Sequence, residues 1–174
     1  MEKLIINKDK LTKEEIDKTK IKSRIIILNN KNELILCNYN GCYLLIGGKV
    51  EKQETIKEAA LRETHEEIGV LLNENDLDDF ILIEHYQKNY PTIDNKIKNN
   101  LLITYYFISK KKVEIEKDKI TLSENEKKQN FKLVQASPKE IIQLLENNNT
   151  QNPRAVYYEE ELQEVLQRIK IKIK

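Results

Sequence analysis

Three glutamates close together in the chain, Glu63, Glu66 and Glu67, are the residues whose type and spacing could do chemistry. On an α-helix, which turns about 100° per residue, Glu67 lies about 40° and Glu66 about 60° to either side of Glu63, so the three carboxylates share one face. Mg²⁺ and Mn²⁺ prefer oxygen ligands and leave coordination positions for water and substrate phosphates. The spacing alone leaves two interpretations open: a divalent metal site, or the solvated charged face that most Glu-rich helices carry.

The neighbours of these glutamates favour a face that contacts the rest of the protein. Ile56, Ala59 and Ala60 lie within about 60° of the same direction, so the acidic residues continue a stripe of small and apolar side chains. Glu63 and Glu67 are four residues apart and repel each other by roughly a few tenths of a kcal/mol, which is a cost for a helix that needs only structural support.

The acidic segment also lies within a longer motif. The chain has only 4 glycines, and three of them bracket the segment. The spacing Gly-x5-Glu-x7-Arg-Glu-U-x-Glu-Glu-x-Gly-U, with U a bulky apolar residue, is met by Gly48, Glu54, Arg62, the three glutamates, Gly69 and Val70. The segment Gly48–Val70 therefore resembles the Nudix box, with all seven fixed letters present. It departs from the usual pattern at Ile46, Gln53 and Thr64, where the family often has proline, glycine and a larger apolar residue.

The resemblance implies an enzyme that acts on acid anhydrides. Nudix enzymes hydrolyse the pyrophosphate bond of a nucleoside diphosphate linked to another moiety, with a divalent metal. It implies Mg²⁺ or Mn²⁺ held by Glu63, Glu66 and Glu67, with the Gly48 carbonyl as a further ligand. Metal ions neutralise the charge of the phosphates, orient them and lower the pKa of a bound water.

Arg62 belongs, by the same resemblance, to the catalytic group as a positioning residue that pairs with Glu54 and the acidic cluster. The alternative is a surface ion pair with Glu58, four residues earlier on the helix. By the same resemblance, the general base is either one of the box glutamates or a carboxylate on a later loop, as in many relatives. Glu124 and Glu126 are the loop candidates; solvated loop charges are the alternative for both.

Residues outside the box give weaker signals. Arg24 could contact phosphate or lie at a strand edge, and Tyr86 and Tyr90 could stack on a base or pack between strand and loop. His85 is expected to be a partly buried strand residue.

Composition excludes several classes of protein. The chain has 174 residues, enough for one domain, and 30 basic against 29 acidic side chains give a net charge of +1, so it has no overall field for nucleic acid or an anionic membrane. The apolar stretches 25–28 and 101–108 are too short to span a membrane. The N-terminus has no secretory pattern, and we expect Cys37 and Cys42 to be reduced thiols of a cytoplasmic protein.

The order of the strands and helices expected around the box predicts a mixed α+β domain. We expect an N-terminal arm or short helix over 1–20 and the Nudix domain over 21–174, with a mixed β-sheet between α-helices as the resemblance implies. The predicted strands are 21–28, 33–38, 43–46, 79–86, 101–109 and 131–134, and the predicted helices are 54–68, 137–145 and 157–169. A long loop is expected over 87–100, and the alternating segment 169–174 is a strand or a tail.

Other functions remain to be separated from hydrolysis. A Nudix-fold module that binds a nucleotide derivative without cleaving it would usually have lost a box carboxylate, and here none is lost. RNA binding by the lysine-rich strip 108–119 is disfavoured because acidic residues interleave it. The final helix is expected to pack on the domain as a cover, and the alternative is that its apolar edge forms a homodimer surface. The expected partner is a small-molecule nucleotide whose identity the sequence does not specify.

Overall fold

A seven-stranded mixed β-sheet organises the chain. The computed structural model describes residues 1–92, 94 and 96–172. The strands are β1 (Glu2–Ile6), β2 (Lys18–Ile26), β3 (Leu34–Tyr39), β4 (Cys42–Lys49), β5 (Leu77–Pro91), β6 (Ile97–Ser109) and β7 (Lys132–Ala136), and the helices are α1 (Ile56–Ile68), α2 (Glu124–Lys128), α3 (Pro138–Glu146) and α4 (Ala155–Lys172). The strand order is β1-β5-β6-β2-β4-β3-β7. The pairs β1–β5 and β2–β6 are parallel, and the other neighbours are antiparallel.

Apolar side chains cover both faces of the sheet. Successive strand residues point to opposite faces, so the run Ile25, Ile26 and Ile27 serves both. One core cluster contains Ile25 and Ile27 with residues of α1, and the other contains Ile26 with residues of α3 and α4. The sheet therefore lies between helices, with α1 on one side and α3 and α4 on the other.

The ends of α1 are fixed by local chemistry. The Thr55 hydroxyl accepts a hydrogen bond from the Glu58 N–H at 3.1 Å, and the Glu58 carboxylate accepts one from the Thr55 N–H at 2.6 Å. This reciprocal capping starts the helix. Gly69 ends it with a φ of +75°, a left-handed conformation that glycine adopts without strain.

The first twenty residues contain a strand where we expected an arm or a short helix. β1 pairs in parallel with β5, from Glu2 opposite Ile81 to Ile6 opposite His85. Ile6 is buried in the core while Ile5 is exposed, which is the alternation of an edge strand. The helical part of the segment described is one 3₁₀ turn at Lys13–Glu15.

The prediction of a long loop over 87–100 is also wrong, because most of this segment belongs to two strands. β5 and β6 continue as a hairpin until Pro91 pairs with Ile97, and the connection is 92–96. The polar residues that indicated a loop form a twisted ladder with a bulge between Gln87 and Tyr90, where Asn89 has a φ of +55°. Pro91 stands at the strand end, where a missing N–H costs no ladder hydrogen bond.

The final helix begins earlier and runs further than predicted, over Ala155–Lys172. The segment 169–174 is helical as far as Lys172, and its last two residues lie outside the described part of the chain. The apolar edge that was a candidate homodimer surface is buried against the sheet, at Leu162, Val165, Leu166 and Ile169.

Candidate functional site

Two glycines near the end of β4 bring α1 against the sheet. Gly47 has a φ of +134°, and a Cβ there would lie 2.2 Å from the Ser23 carbonyl oxygen. A Cβ on Gly48 would lie 2.3 Å from Oε1 of Glu63. Any other residue at position 48 would therefore displace the Glu63 carboxylate. The paired glycines leave a bare stretch of strand against which this carboxylate packs.

Glu67 is the most deeply buried acid of the box, with no exposed surface. Its carboxylate accepts hydrogen bonds from the Tyr39 hydroxyl and from the Gly47 N–H, the latter at 2.8 Å. Both donors are neutral, and in the described part of the chain no ion pair joins this carboxylate. Burial raises the pKa of Glu67 to about 8, although both hydrogen bonds oppose the shift. The site thus holds a buried carboxyl group whose hydrogen-bond donors are both neutral.

Arg62 holds the other acids of the box. Its Nε and Nη2 donate to the two Glu54 oxygens at 3.0 and 2.9 Å, and its Nη1 donates to Glu63 at 2.9 Å and to Glu66 at 3.0 Å. The surface pair with Glu58 does not form, since that residue caps the helix. The hydrogen bonds with Glu54 raise the Arg62 pKa above its ordinary value. Burial raises the Glu63 pKa, and Arg62 opposes that shift.

A third carboxylate from outside the box joins two of these acids. Ligand oxygens of Glu63, Glu67 and Glu126 all lie within 4.8 Å of one another. Glu66 is not a member of this group and instead binds Arg62 through Oε2. Glu124, the other candidate for the base, is exposed and pairs with Lys127 at 2.8 Å. The structure thus brings Glu126, and not Glu124, to the acidic cluster.

The chemistry of this donor set fits a hard divalent cation. All three side chains offer carboxylate oxygens, and two of the three are buried. Buried carboxylates that repel each other are costly without a cation, and Mg²⁺ or Mn²⁺ bound by a few carboxylates retains positions for water and phosphate.

Cationic and aromatic side chains face the acids across a cleft of about 210 Å³. Its walls include Lys22, Arg154, Tyr39 and Tyr158, none of which the sequence motif indicated. They come from β2, β3 and the start of α4, so no local spacing links them to the box. Arg24 also lines the cleft, but it is buried and its Nη1 donates to the carbonyls of Leu45 and Gly47, so it mainly ties β2 to β4.

The remaining sequence candidates have structural places. Tyr90 is buried and its hydroxyl lies 2.9 Å from that of Tyr158, whereas Tyr86 is half-buried on β5. His85 is buried, with its ring nitrogens 3.1 Å from Glu160 and Glu161 of α4.

Three of the five lysines in the strip 108–119 form ion pairs. Lys110 binds Asp78 at 3.1 Å, Lys111 binds Asp76 at 2.8 Å, and Lys119 binds Glu116. These pairs reduce the free charge that the strip offers to RNA. None of the helices described is both long and apolar enough to cross a membrane.

Comparison with known proteins identifies the family and the fold. A family model described as NUDIX domain matches residues 18–158. Among solved structures, a NUDIX hydrolase from Nitrosomonas europaea is 16% identical over 86% of this chain and 91% of its own, with a TM-score of 0.50. The mutator MutT protein from Bacillus halodurans is 18% identical over 82% of each chain, with a TM-score of 0.51. The search of curated protein sequences finds no significant match. The predicted fold class, a mixed sheet between helices, is confirmed.

Proposed function

The chain belongs to the Nudix family, and from that premise we propose that it is a pyrophosphohydrolase that cleaves a nucleoside diphosphate linked to another moiety with Mg²⁺ or Mn²⁺. The observation that carries the proposal is the group formed by Glu63, Glu67 and Glu126, whose oxygens lie within 4.8 Å of one another beside the cleft. Lys22 and Arg154 line the same cleft and supply the positive charge that phosphates require.

We propose that the box acids hold the metal, with Glu63 and Glu67 as the central ligands and Glu66 and the Gly48 carbonyl as further ones. Glu66 binds Arg62 through Oε2, which leaves its Oε1 for a cation. When bound, a divalent ion supplies neutralisation of the phosphate charge and acidifies a coordinated water.

The protein's own side chains are held for this task before substrate arrives. Tyr39 and the Gly47 N–H orient Glu67, and Arg62 orients Glu63. Arg62 itself is fixed by both oxygens of Glu54, so it acts as a positioning residue. Such preorganisation reduces the reorganisation that the reaction would otherwise require.

Glu126 is the residue we propose as general base. It lies on α2, a separate element from the box, and is half-exposed at the edge of the acidic group, where a water can approach. A carboxylate within one water of the scissile phosphate can accept the proton released on attack.

The test is hydrolysis by the purified chain of a panel of nucleoside diphosphate derivatives with Mg²⁺ or Mn²⁺, with phosphate and nucleoside monophosphate as the measured products. We expect turnover that requires the ion and is largely removed by Glu67→Gln. Binding of a nucleotide without cleavage under either ion would instead assign the chain to the non-catalytic modules of the fold.

We also propose that the protein acts in the cytoplasm. Cys37 and Cys42 are both free and buried, which is consistent with a reducing compartment.

A further inference from the structure

A second, cationic cleft adjoins the first. It encloses about 490 Å³, and the two clefts share Lys22, Gln129, Arg154 and Tyr158. The larger cleft extends away from the acidic cluster, and its walls also include Lys18, Lys20, Lys98 and Asp94.

The positive charges of this cleft lack acidic partners. Among the described residues, Lys18, Lys20, Lys22, Lys98 and Arg154 form no ion pair with a carboxylate, while Asp94, the acid of the cleft, is already paired with Lys96 at 3.0 Å. Other lysines are unpaired within the described part of the chain as well, among them Lys13, Lys31 and Lys139, but these are exposed and do not line this cleft. The chain as a whole carries a net charge of only +1, so five unpaired cations in one cleft are a local concentration.

Three of the cations form a straight row. Lys18, Lys20 and Lys22 alternate along β2 on the same face of the sheet as Arg24, which lies opposite Gly47 in the neighbouring strand. At about 3.3 Å per residue, the row covers roughly 13 Å and starts beside the paired glycines. Burial, together with the neighbouring charges of Lys22, Lys18 and Arg154, lowers the pKa of Lys20, which is the expected result of crowding cations.

Cations lie over the aromatic rings of this cleft. Lys20 Nζ lies 4.7 Å and the Arg154 guanidinium 5.9 Å from the Tyr90 ring centre, and Lys22 Nζ lies 5.4 Å from that of Tyr158. Tyr90 is also buried and packs on Tyr157 at 5.3 Å. Arg154 is further fixed by its hydrogen bond to the Pro91 carbonyl at 2.9 Å.

We propose that the moiety attached to the substrate's nucleoside diphosphate is a chain of further phosphates, which lies along this lysine row. The inference rests on the proposed function, because it places the scissile bond at the acidic cluster and the additional phosphates over β2. A linear row of unpaired cations suits repeated negative charge and offers little to a neutral sugar.

The binding test needs no catalysis. Linear inorganic polyphosphate is titrated calorimetrically into the full chain in EDTA, for the natural protein and for the triple variant Lys18→Gln/Lys20→Gln/Lys98→Gln. These three lysines line only the larger cleft. We expect the variant to bind about tenfold more weakly or worse, and the natural protein to lose affinity as salt increases.

Two further variants control the result. Lys13→Gln/Lys31→Gln/Lys139→Gln removes the same charge from exposed positions elsewhere and should bind like the natural protein. The triple Lys→Arg variant at 18, 20 and 98 keeps the charge and should restore binding. Equal polyphosphate affinity in the two triple glutamine variants would overturn the proposal. So would tighter binding of a 5′-triphosphorylated RNA than of polyphosphate of matched charge, which would assign the cleft to nucleic acid.

A kinetic test separates this inference from the proposed function. We expect the preference for a dinucleoside hexaphosphate over a nucleoside diphosphate sugar, as a ratio of kcat/KM, to fall about tenfold in the lysine variant through KM. Absence of all hydrolysis, with lysine-dependent polyphosphate binding intact, would refute the hydrolase and retain the anion subsite. Hydrolysis with equal preference in the variant and the natural protein would retain the hydrolase and refute the subsite.

Discussion

Replacing Glu67 by glutamine should stabilise the metal-free protein while removing its activity. The Glu67 carboxyl group is fully buried and forms no ion pair with the described residues. Burial raises its pKa to about 8. A glutamine has no charge to bury. It can keep both contacts, because its oxygen can accept from the Gly47 N–H while its amide nitrogen donates to the Tyr39 hydroxyl oxygen.

The size and sign follow from linkage between protonation and folding. An acid whose pKa is raised on folding contributes stability below its unfolded pKa, here 4.5, and that stability is lost as the pH rises through about 8. Each unit of pKa corresponds to about 1.4 kcal/mol. The free energy of unfolding of the natural protein should therefore fall, relative to Glu67→Gln, by about 3 kcal/mol at pH 7 and about 4 kcal/mol at pH 8.

The assay is urea denaturation in EDTA from pH 4.5 to 8, with far-ultraviolet circular dichroism as the probe. The stability difference should be near zero at the acidic end and widen steadily with pH. Glu146→Gln, at an exposed position of α3, is the control for replacing a glutamate by glutamine without burial. Mg²⁺ should raise the free energy of unfolding of the natural protein and leave that of Glu67→Gln unchanged. If the difference in the free energy of unfolding between Glu67→Gln and the natural protein does not change over this pH range, the raised pKa of the buried Glu67 carboxyl group is refuted.

Three other substitutions test the parts of the site. Glu126→Gln should lower kcat by about a hundredfold or more because it removes the proposed base, whereas Glu124→Gln should leave it unchanged; equal rates would exclude Glu126 from that role. Gly48→Ala should weaken Mg²⁺ activation at least tenfold, since the added Cβ would lie 2.3 Å from Oε1 of Glu63, and unchanged Mg²⁺ titrations would contradict this. Arg62→Lys should cost about tenfold in kcat with the fold intact by circular dichroism, because lysine cannot donate in parallel to two oxygens, and natural rates would show that positioning by Arg62 is dispensable.

The sequence allowed prediction of the elements whose signals are local. The helix predicted over 54–68 is found as α1 over Ile56–Ile68, and the residues that cap it, Thr55 and Gly69, directly flank it. The buried strands were visible as short apolar runs. Two strand regions were harder to predict. β1 has only five residues, of which Glu2 and Lys3 are charged, so its apolar run is short; the hairpin beyond Tyr86 is polar and lacks the apolar pattern that marks a strand.

The box indicated only one wall of the candidate site. It named Glu63 and Glu67, and the structure places their oxygens together. Tyr39 and Arg154 reach the same cleft from a strand end and from the segment before α4, with nothing in their surroundings to indicate it. Glu126 was one of two loop acids that the sequence treated alike. In the structure the Glu126 carboxylate takes part in the capping of α2 by Ser123 and lies in the cluster, whereas Glu124 pairs with Lys127.

The near-zero net charge of the chain conceals the feature that decides its chemistry. Acids of α1 and α2 line the smaller cleft, and the unpaired cations Lys18, Lys20 and Lys98 line only the larger cleft that adjoins it. Summed over the chain these charges cancel, yet between the two clefts they are segregated. A segregated arrangement raises the energy of the ligand-free protein on both sides, because like charges are crowded. The crowding is relieved together by one ligand that carries divalent metal at one end and bare phosphate at the other. A metal–polyphosphate complex has this distribution of charge, which is why we expect metal and polyphosphate to bind each more tightly in the presence of the other.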